Sequence, residues 1–291
     1  MPYDERFLRT LERLYLLARR RTTRPGHGER HSARRGASIE FRENRPYAPG
    51  DEVRYIDWNV YARHGALFVK EFSAEGSIHV TVFVDTSASM SFGTPSKMEA
   101  AREIAAAIGY IGLVSLDSIT LYAVGERAEE RRGGLRGKAQ VFDWFAQLEE
   151  LRASGRTDLR SVLAAAPASA RGRALWFVIS DFYDPASGEV LRAIRARGVK
   201  AHAVHVVAAE ELDPALEGRR ILVDLETGER RPAEITREVL DRYRRRFLRH
   251  CADLERLCGA QEVRYVRVRT DATLEERVME IVRKGGILEL R

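Results

Sequence analysis

The sequence predicts an α/β protein, a mostly parallel sheet with helices on both faces, preceded by a β-rich elaboration. Three observations carry that prediction. From residue 78 onward, strand-like and helix-like stretches alternate, as crossovers between parallel strands require. The first strand-like stretch, Ile78-His-Val-Thr-Val-Phe-Val84, is rich in branched and aromatic residues, which suits a buried strand. The 291 residues are 44% hydrophobic, enough for a substantial core.

Each element follows from local pattern. Residues 4–21 read as a helix, with Phe7, Leu8, Leu11, Leu14, Tyr15 and Ala18 recurring at three and four. Packing on the chain's own core is preferred to a membrane surface, since soluble helices carry the same stripe. Residues 22–36 read as a loop, followed by extended stretches at 37–43, 52–56 and 66–72 with turns at Pro46, Pro49 and Gly50. After the strand at 78–84 come a helix at 96–116, a strand at 118–124, a glycine-and-arginine loop at 131–138, and helices at 139–151 and 158–166. A strand at 174–180, a helix at 186–197 and a strand at 200–207 follow. A hairpin is inserted at 219–232, turning at Thr227-Gly228. A long helix over about 234–258, entered near Thr236, a strand at 263–268 and a helix at 273–284 complete the pattern. The natural division is an N-terminal helix and β-rich segment at 1–77 and an α/β domain at 78–291.

Charge and cysteine usage bound the function. Residues 1–45 hold 12 basic and 6 acidic side chains, so the whole formal excess of +6 lies there. Such a field favours an acidic protein face or an anionic membrane surface. Nucleic acid is disfavoured, because Phe41 is the only aromatic in the basic stretch 19–45 and stacking platforms are lacking. No apolar run approaches 18 residues and no secretory h-region is visible. Cys251 and Cys258 are seven residues apart on a helical stretch, about 10.5 Å along the axis, too far for a bridge. These features point to the cytoplasm, with contact at the inner face of a membrane left open.

The chemistry sits in three pieces. Val82-Phe-Val-Asp-Thr-Ser-Ala-Ser-Met90 runs from an apolar strand into Asp85, Ser87 and Ser89. Ligands of open α/β sheets bind beyond the carboxyl ends of the strands, and a carboxylate with two hydroxyls suits a hard cation such as Mg²⁺, with Mn²⁺ or Ca²⁺ as alternatives. Thr157, in Gly155-Arg-Thr-Asp-Leu159, precedes a helix, and Asp181 follows the strand Leu175-Trp-Phe-Val-Ile-Ser180. Asp85, Ser87, Ser89, Thr157 and Asp181 are therefore the candidate metal ligands.

In order and spacing these pieces resemble the metal-ion-dependent adhesion site of von Willebrand factor A domains, a Rossmann-like fold. That resemblance implies hydroxyl ligation by Ser87, Ser89 and Thr157, with Asp85 and Asp181 acting directly or through water. Arg156 departs from the Gly-Gly-Thr of many relatives and makes the loop bulkier and more basic. The stretches Gly28-Glu-Arg-His-Ser32, Glu40-Phe-Arg-Glu-Asn-Arg-Pro-Tyr47, Pro49-Gly-Asp51 and Arg54-Tyr-Ile-Asp-Trp58, with Ala62-Arg63, narrow the match. They resemble a bacterial family, domain of unknown function fifty-eight, typically encoded beside MoxR-type AAA+ ATPases. The resemblance implies a cytoplasmic adaptor with such an ATPase as partner. Arg54, Asp57 and Arg63 have two readings: an ion network buried around Trp58, which the interleaved aromatics favour, or a docking surface built from Arg54, Asp57 and Trp58.

Other chemistries fit less well. A haloacid-dehalogenase-like phosphotransferase needs a second carboxylate where Ser87 stands, and neither a P-loop nor a Gly-x-Ser-x-Gly elbow occurs. His27 and His31 are flanked by glycines that oppose a zinc-aligning helix, and His202 and His205 fall on opposite faces of one strand. The expected function is a metal-dependent protein-binding adaptor without enzymatic activity, in which Arg156 helps to hold the partner. The alternative is a metal-dependent hydrolase or phosphotransferase using the same site.

Overall fold

The computed structural model describes residues 3–22, 39–46, 56–74, 78–165 and 174–284. They fall into two compact units, residues 1–24 with 78–291, and residues 25–77. The first helix, α1 (Glu5–Thr22), thus goes with the larger unit, whereas the sequence division groups it with the β-rich segment. Its stripe explains why: Leu11 and Leu14 are fully buried in the larger unit's core.

The smaller unit is an antiparallel pair, β1 (Ile39–Pro46) and β2 (Phe68–Ala74), with α2 (Trp58–His64) between them in sequence. Asp57 Oδ1 accepts the Val60 N–H at 3.2 Å, closing an unpaired donor of the first turn. With Asp57 used at the helix entry, Trp58 points outward at 58% exposure, edge-on to the exposed Tyr61. Trp58 is therefore not the centre of a buried network. Arg54 lies outside the described residues.

The larger unit is the α/β domain. Its strands are β3 (His79–Asp85), β4 (Ser118–Val124), β5 (Ala128–Leu135), β6 (Ala174–Ser180), β7 (Lys200–Val207) and, near the end, β10 (Arg264–Arg269). They form one sheet in the order β10-β7-β6-β3-β4-β5, parallel except for β5. Strand β5 corrects the expected loop at 131–138. Its face is charged and exposed, and two register shifts interrupt its pairing, so it shows no period of two. A charged, irregular edge strand also resists pairing with other chains.

Helices cover both faces. On one face α3 (Lys97–Val114) packs with α4 (Val141–Glu150), α1 and the C-terminal α9 (Leu274–Arg283). Helix α3 starts at a reciprocal cap between Ser96 and Glu99. It meets α4 closely because Gly109 lets Trp144 lie on its backbone, where Trp144 Nε1 donates to Ala105 O at 3.1 Å. On the other face α5 (Ser161–Ala165) and α6 (Ser187–Ala196) sit with α8 (Arg237–Ala260), which buries only Phe247, Cys251, Leu254 and Cys258. Both cysteines are free and belong to that stripe, as expected of small apolar residues. A short α7 (Ala209–Leu212) follows β7, and β8 (Gly218–Val223) with β9 (Arg230–Ile235) forms the expected hairpin. This is the expected α/β architecture, a mostly parallel sheet with helices on both faces. No described helix is long and apolar enough to cross a membrane.

Candidate metal centre

Strands β3 and β6 are parallel neighbours, with Val84 beside Ile179. Their carboxyl ends therefore deliver Asp85 and the Ser180-Asp181 pair to one place. Ser180 Oγ donates to Asp85 Oδ2 at 2.6 Å, and the Ser87 N–H donates to Asp85 Oδ1 at 2.9 Å. The hydroxyls of Ser87 and Ser89 are 2.9 Å apart, and Ser89 Oγ donates to Asp181 Oδ2 at 2.8 Å. Asp85, Ser87 and Asp181 are buried. After Asp181 the chain turns sharply: Phe182 adopts φ 54°, unfavourable for a bulky residue, and its N–H is held by Ser180 Oγ at 2.9 Å.

The third loop is tied to the first by backbone bonds. Ala88 N–H donates to Gly155 O at 2.9 Å and Ser154 N–H to Thr86 O at 2.8 Å. Gly155 supplies the positive φ that this close approach uses. Asp184 joins the β6 loop to it by accepting the Leu159 N–H at 2.7 Å. Thr157 thereby reaches the cluster, and its Oγ1 is buried without a hydrogen-bond partner. An orphaned buried hydroxyl costs about 1–3 kcal/mol, which a ligated cation would offset. Thr157 and Ser89 line a cavity of about 520 Å³ together with Lys97, Tyr183, Glu211 and Glu226.

The three sequence pieces therefore come together, and the oxygen-only donor set fits a hard divalent cation. Among the described residues no group of three His, Cys, Asp or Glu side chains is disposed to hold a metal, so any cation here depends on the hydroxyls. Burial, with Asp181 alongside, pushes Asp85 up from the usual carboxylate range to about 6, against the hydrogen bonds from Ser180 and Ser87. A cation at the cluster would favour the charged carboxylate.

Lys97 was not anticipated. It is 1% exposed, yet its Nζ lies 2.6 Å from Asp181 Oδ2 and 2.9 Å from Glu211 Oε1. Burial depresses its pKa, but the two carboxylates outweigh that and raise it. Tyr183 hydroxyl donates to the same Glu211 oxygen at 3.1 Å, and Glu211 Oε2 accepts the Ala208 N–H at 2.8 Å. A signal was present in the sequence. Lys97 is one of only five lysines in an arginine-rich chain, and it opens a helix, where the macrodipole disfavours a cation. Glu211 had no such signal. Arg156 is exposed at the cavity and acts electrostatically on Asp224 and Glu226 of the hairpin.

The family described as "Protein of unknown function DUF58" matches residues 43–254. The uncharacterized protein Rv1480 of Mycobacterium tuberculosis is 32% identical over 267 residues, covering 87% of this chain and 81% of that protein. Among solved structures, a von Willebrand factor type A protein from Catenulispora acidiphila aligns at 17% identity with a TM-score of 0.44, over 73% of this chain and 43% of that one. The manganese-loaded TRAP protein of Plasmodium vivax aligns at 14% identity with a TM-score of 0.40, over 71% of this chain and 72% of that one.

Proposed function

The chain belongs to the DUF58 family, and on that premise we propose that it is a metal-dependent protein-binding adaptor. Ser87, Ser89 and Thr157 would hold Mg²⁺ through their hydroxyls, with Asp85 and Asp181 acting directly or through water; Mn²⁺ or Ca²⁺ would substitute. The observation that carries this reading is the buried, unpartnered Thr157 hydroxyl on a loop bonded to the Asp85 loop. When bound, the cation supplies an electrophilic position for an acidic side chain of a partner. Hydroxyls bring no charge, and Lys97 already claims Asp181 Oδ2. The protein's own ligands therefore leave positive charge for an outside carboxylate to meet.

The partner proposed is a MoxR-type AAA+ ATPase with an acidic face, which sets the work in the cytoplasm. Arg156 at the cavity and the basic stretch 1–45 would steer that face by long-range attraction. Trp58 and Tyr61, exposed on the smaller unit, offer a second contact surface. The alternative, metal-dependent hydrolysis or phosphoryl transfer, needs a general base. His205 feels the charge of Asp181, but burial drives its pKa down to about 3 and its Nδ1 is engaged with the Tyr265 hydroxyl at 2.7 Å.

The test is affinity between the purified protein and a MoxR-type ATPase in Mg²⁺, in EDTA, and with Thr157→Ala in Mg²⁺. Binding should require the ion, fall at least tenfold in the other two conditions, and weaken with added salt. Equal affinity in all three would sink metal-mediated capture even if the two proteins associate.

A further inference from the structure

The β8–β9 hairpin is exposed from residue 217 to residue 232 with a single exception, Glu226, which is partly buried. A glutamate is seldom taken out of solvent unless it is paired. Its turn is stiff. Asp224 Oδ1 accepts the N–H groups of Glu226 at 2.9 Å and Thr227 at 2.8 Å, Gly228 N–H donates to Asp224 O at 2.9 Å, and Gly228 sits at φ 70°. The tip is therefore held in one shape, and that shape delivers Glu226 to the cavity lined by Ser89 and Thr157.

In that position the carboxylate lacks adequate partners. The Ser89 hydroxyl lines the same cavity, but its one proton is donated to Asp181 at 2.8 Å. Asp181 and Asp224 repel Glu226, and of the nearby cations Lys97 is committed to Asp181 and Glu211 while Arg156 is exposed. A cation among these oxygens would serve Asp181, Ser89 and Glu226 together. We infer that Glu226 is an internal ligand of the site, a carboxylate carried on the hairpin that takes the position a partner's acidic side chain would occupy. The inference rests on the metal-binding reading of the site. Capture of a partner then requires the hairpin to withdraw Glu226, which its exposed strands permit, since little apolar surface is lost when they move.

The experiment titrates Mg²⁺ calorimetrically into wild type, Glu226→Ala and Glu229→Gln, a control on the same hairpin, each with and without millimolar acetate. Melting in EDTA first checks that all three fold alike. Wild type and Glu229→Gln should bind Mg²⁺ equally and ignore acetate. Glu226→Ala should bind roughly tenfold more weakly, and acetate should restore the affinity by filling the vacated position. Equal Mg²⁺ affinity in wild type and Glu226→Ala, or weakening that acetate does not repair, overturns the internal-ligand role while leaving the metal site standing. Failure of wild type to bind Mg²⁺ overturns both readings at once.

Discussion

The two ends of the parallel sheet each bury an aspartate whose pKa is raised, and they differ in everything else. At the carboxyl end, Asp85 is pushed up to about 6, by burial first and then by Asp181. Around it stand the hydroxyls of Ser87, Ser89, Thr157 and Ser180, a second carboxylate and the Lys97 ammonium, gathered from separate loops. At the amino end, Asp117 is pushed up to about 7 by burial, against the Ile78 N–H bond and the charge of Arg136, with no second carboxylate or hydroxyl among these causes. Its Oδ1 accepts the Ile78 N–H at 2.8 Å and its Oδ2 has no hydrogen-bond partner. Asp117 fastens the entry of β3 to the turn before β4. A perturbed carboxylate is therefore not in itself a site; convergence of donors from several loops is what separates the two.

Lys97→Met is the strongest way to break the comparison. It leaves Asp181 and Glu211 buried without their shared cation, and loss of one partner from a buried ion network costs about 3–5 kcal/mol. Urea unfolding in EDTA should show that loss, with much of it recovered in Lys97→Met combined with Asp181→Asn. A change below half a kcal/mol would mean that the Lys97 network contributes nothing to stability.

A divalent ion should act on one end alone. Saturating Mg²⁺ should raise the melting temperature by the equivalent of about 2–3 kcal/mol at a hundredfold excess over its dissociation constant. Asp85→Ala should remain folded and lose that rise, while Asp117→Asn should keep it. Loss of the Mg²⁺ effect in both variants would show that the two ends are coupled and that the ion does not discriminate between them.

The smallest effect sharpens the amino end. Asp117 has a folded pKa of about 7, above its unfolded value, so the folded protein binds the extra proton. That contribution is complete below the unfolded pKa and is lost as pH rises through about 7. Asp117→Asn keeps the acceptor for Ile78 and removes the titration, so its melting curve in EDTA should flatten between pH 4 and pH 8. At pH 8 it should melt higher than wild type by roughly 2–4 °C, the size of about 1 kcal/mol in a domain this large. An unchanged slope would assign the pH dependence to other groups.

The sequence by itself determined the elements whose signal is local. Apolar strands such as 79–85 and 174–180, the amphipathic stripe of α1, the Thr236 cap and the Thr227-Gly228 turn each depend on neighbours within a few residues. The candidate ligands were legible for the same reason, since each stands where an apolar strand meets a polar loop or where a helix begins. Tertiary structure decided the rest. Lys97 meets Asp181 across 84 positions and Glu211 across 114, pairings that follow from the sheet order and from no periodicity. Strand β5 hid behind its charges because an edge strand gains its hydrogen bonds from β4 and shows no apolar alternation. The same limit hid Trp58, which stands 58% exposed next to the Asp57 cap of α2. It hid Glu226 as well, an ordinary hairpin glutamate in sequence, because its burial arises only where the hairpin tip meets Ser89. Periodicity records which face of an element is apolar, whereas charge partners are set by which loops the sheet brings together.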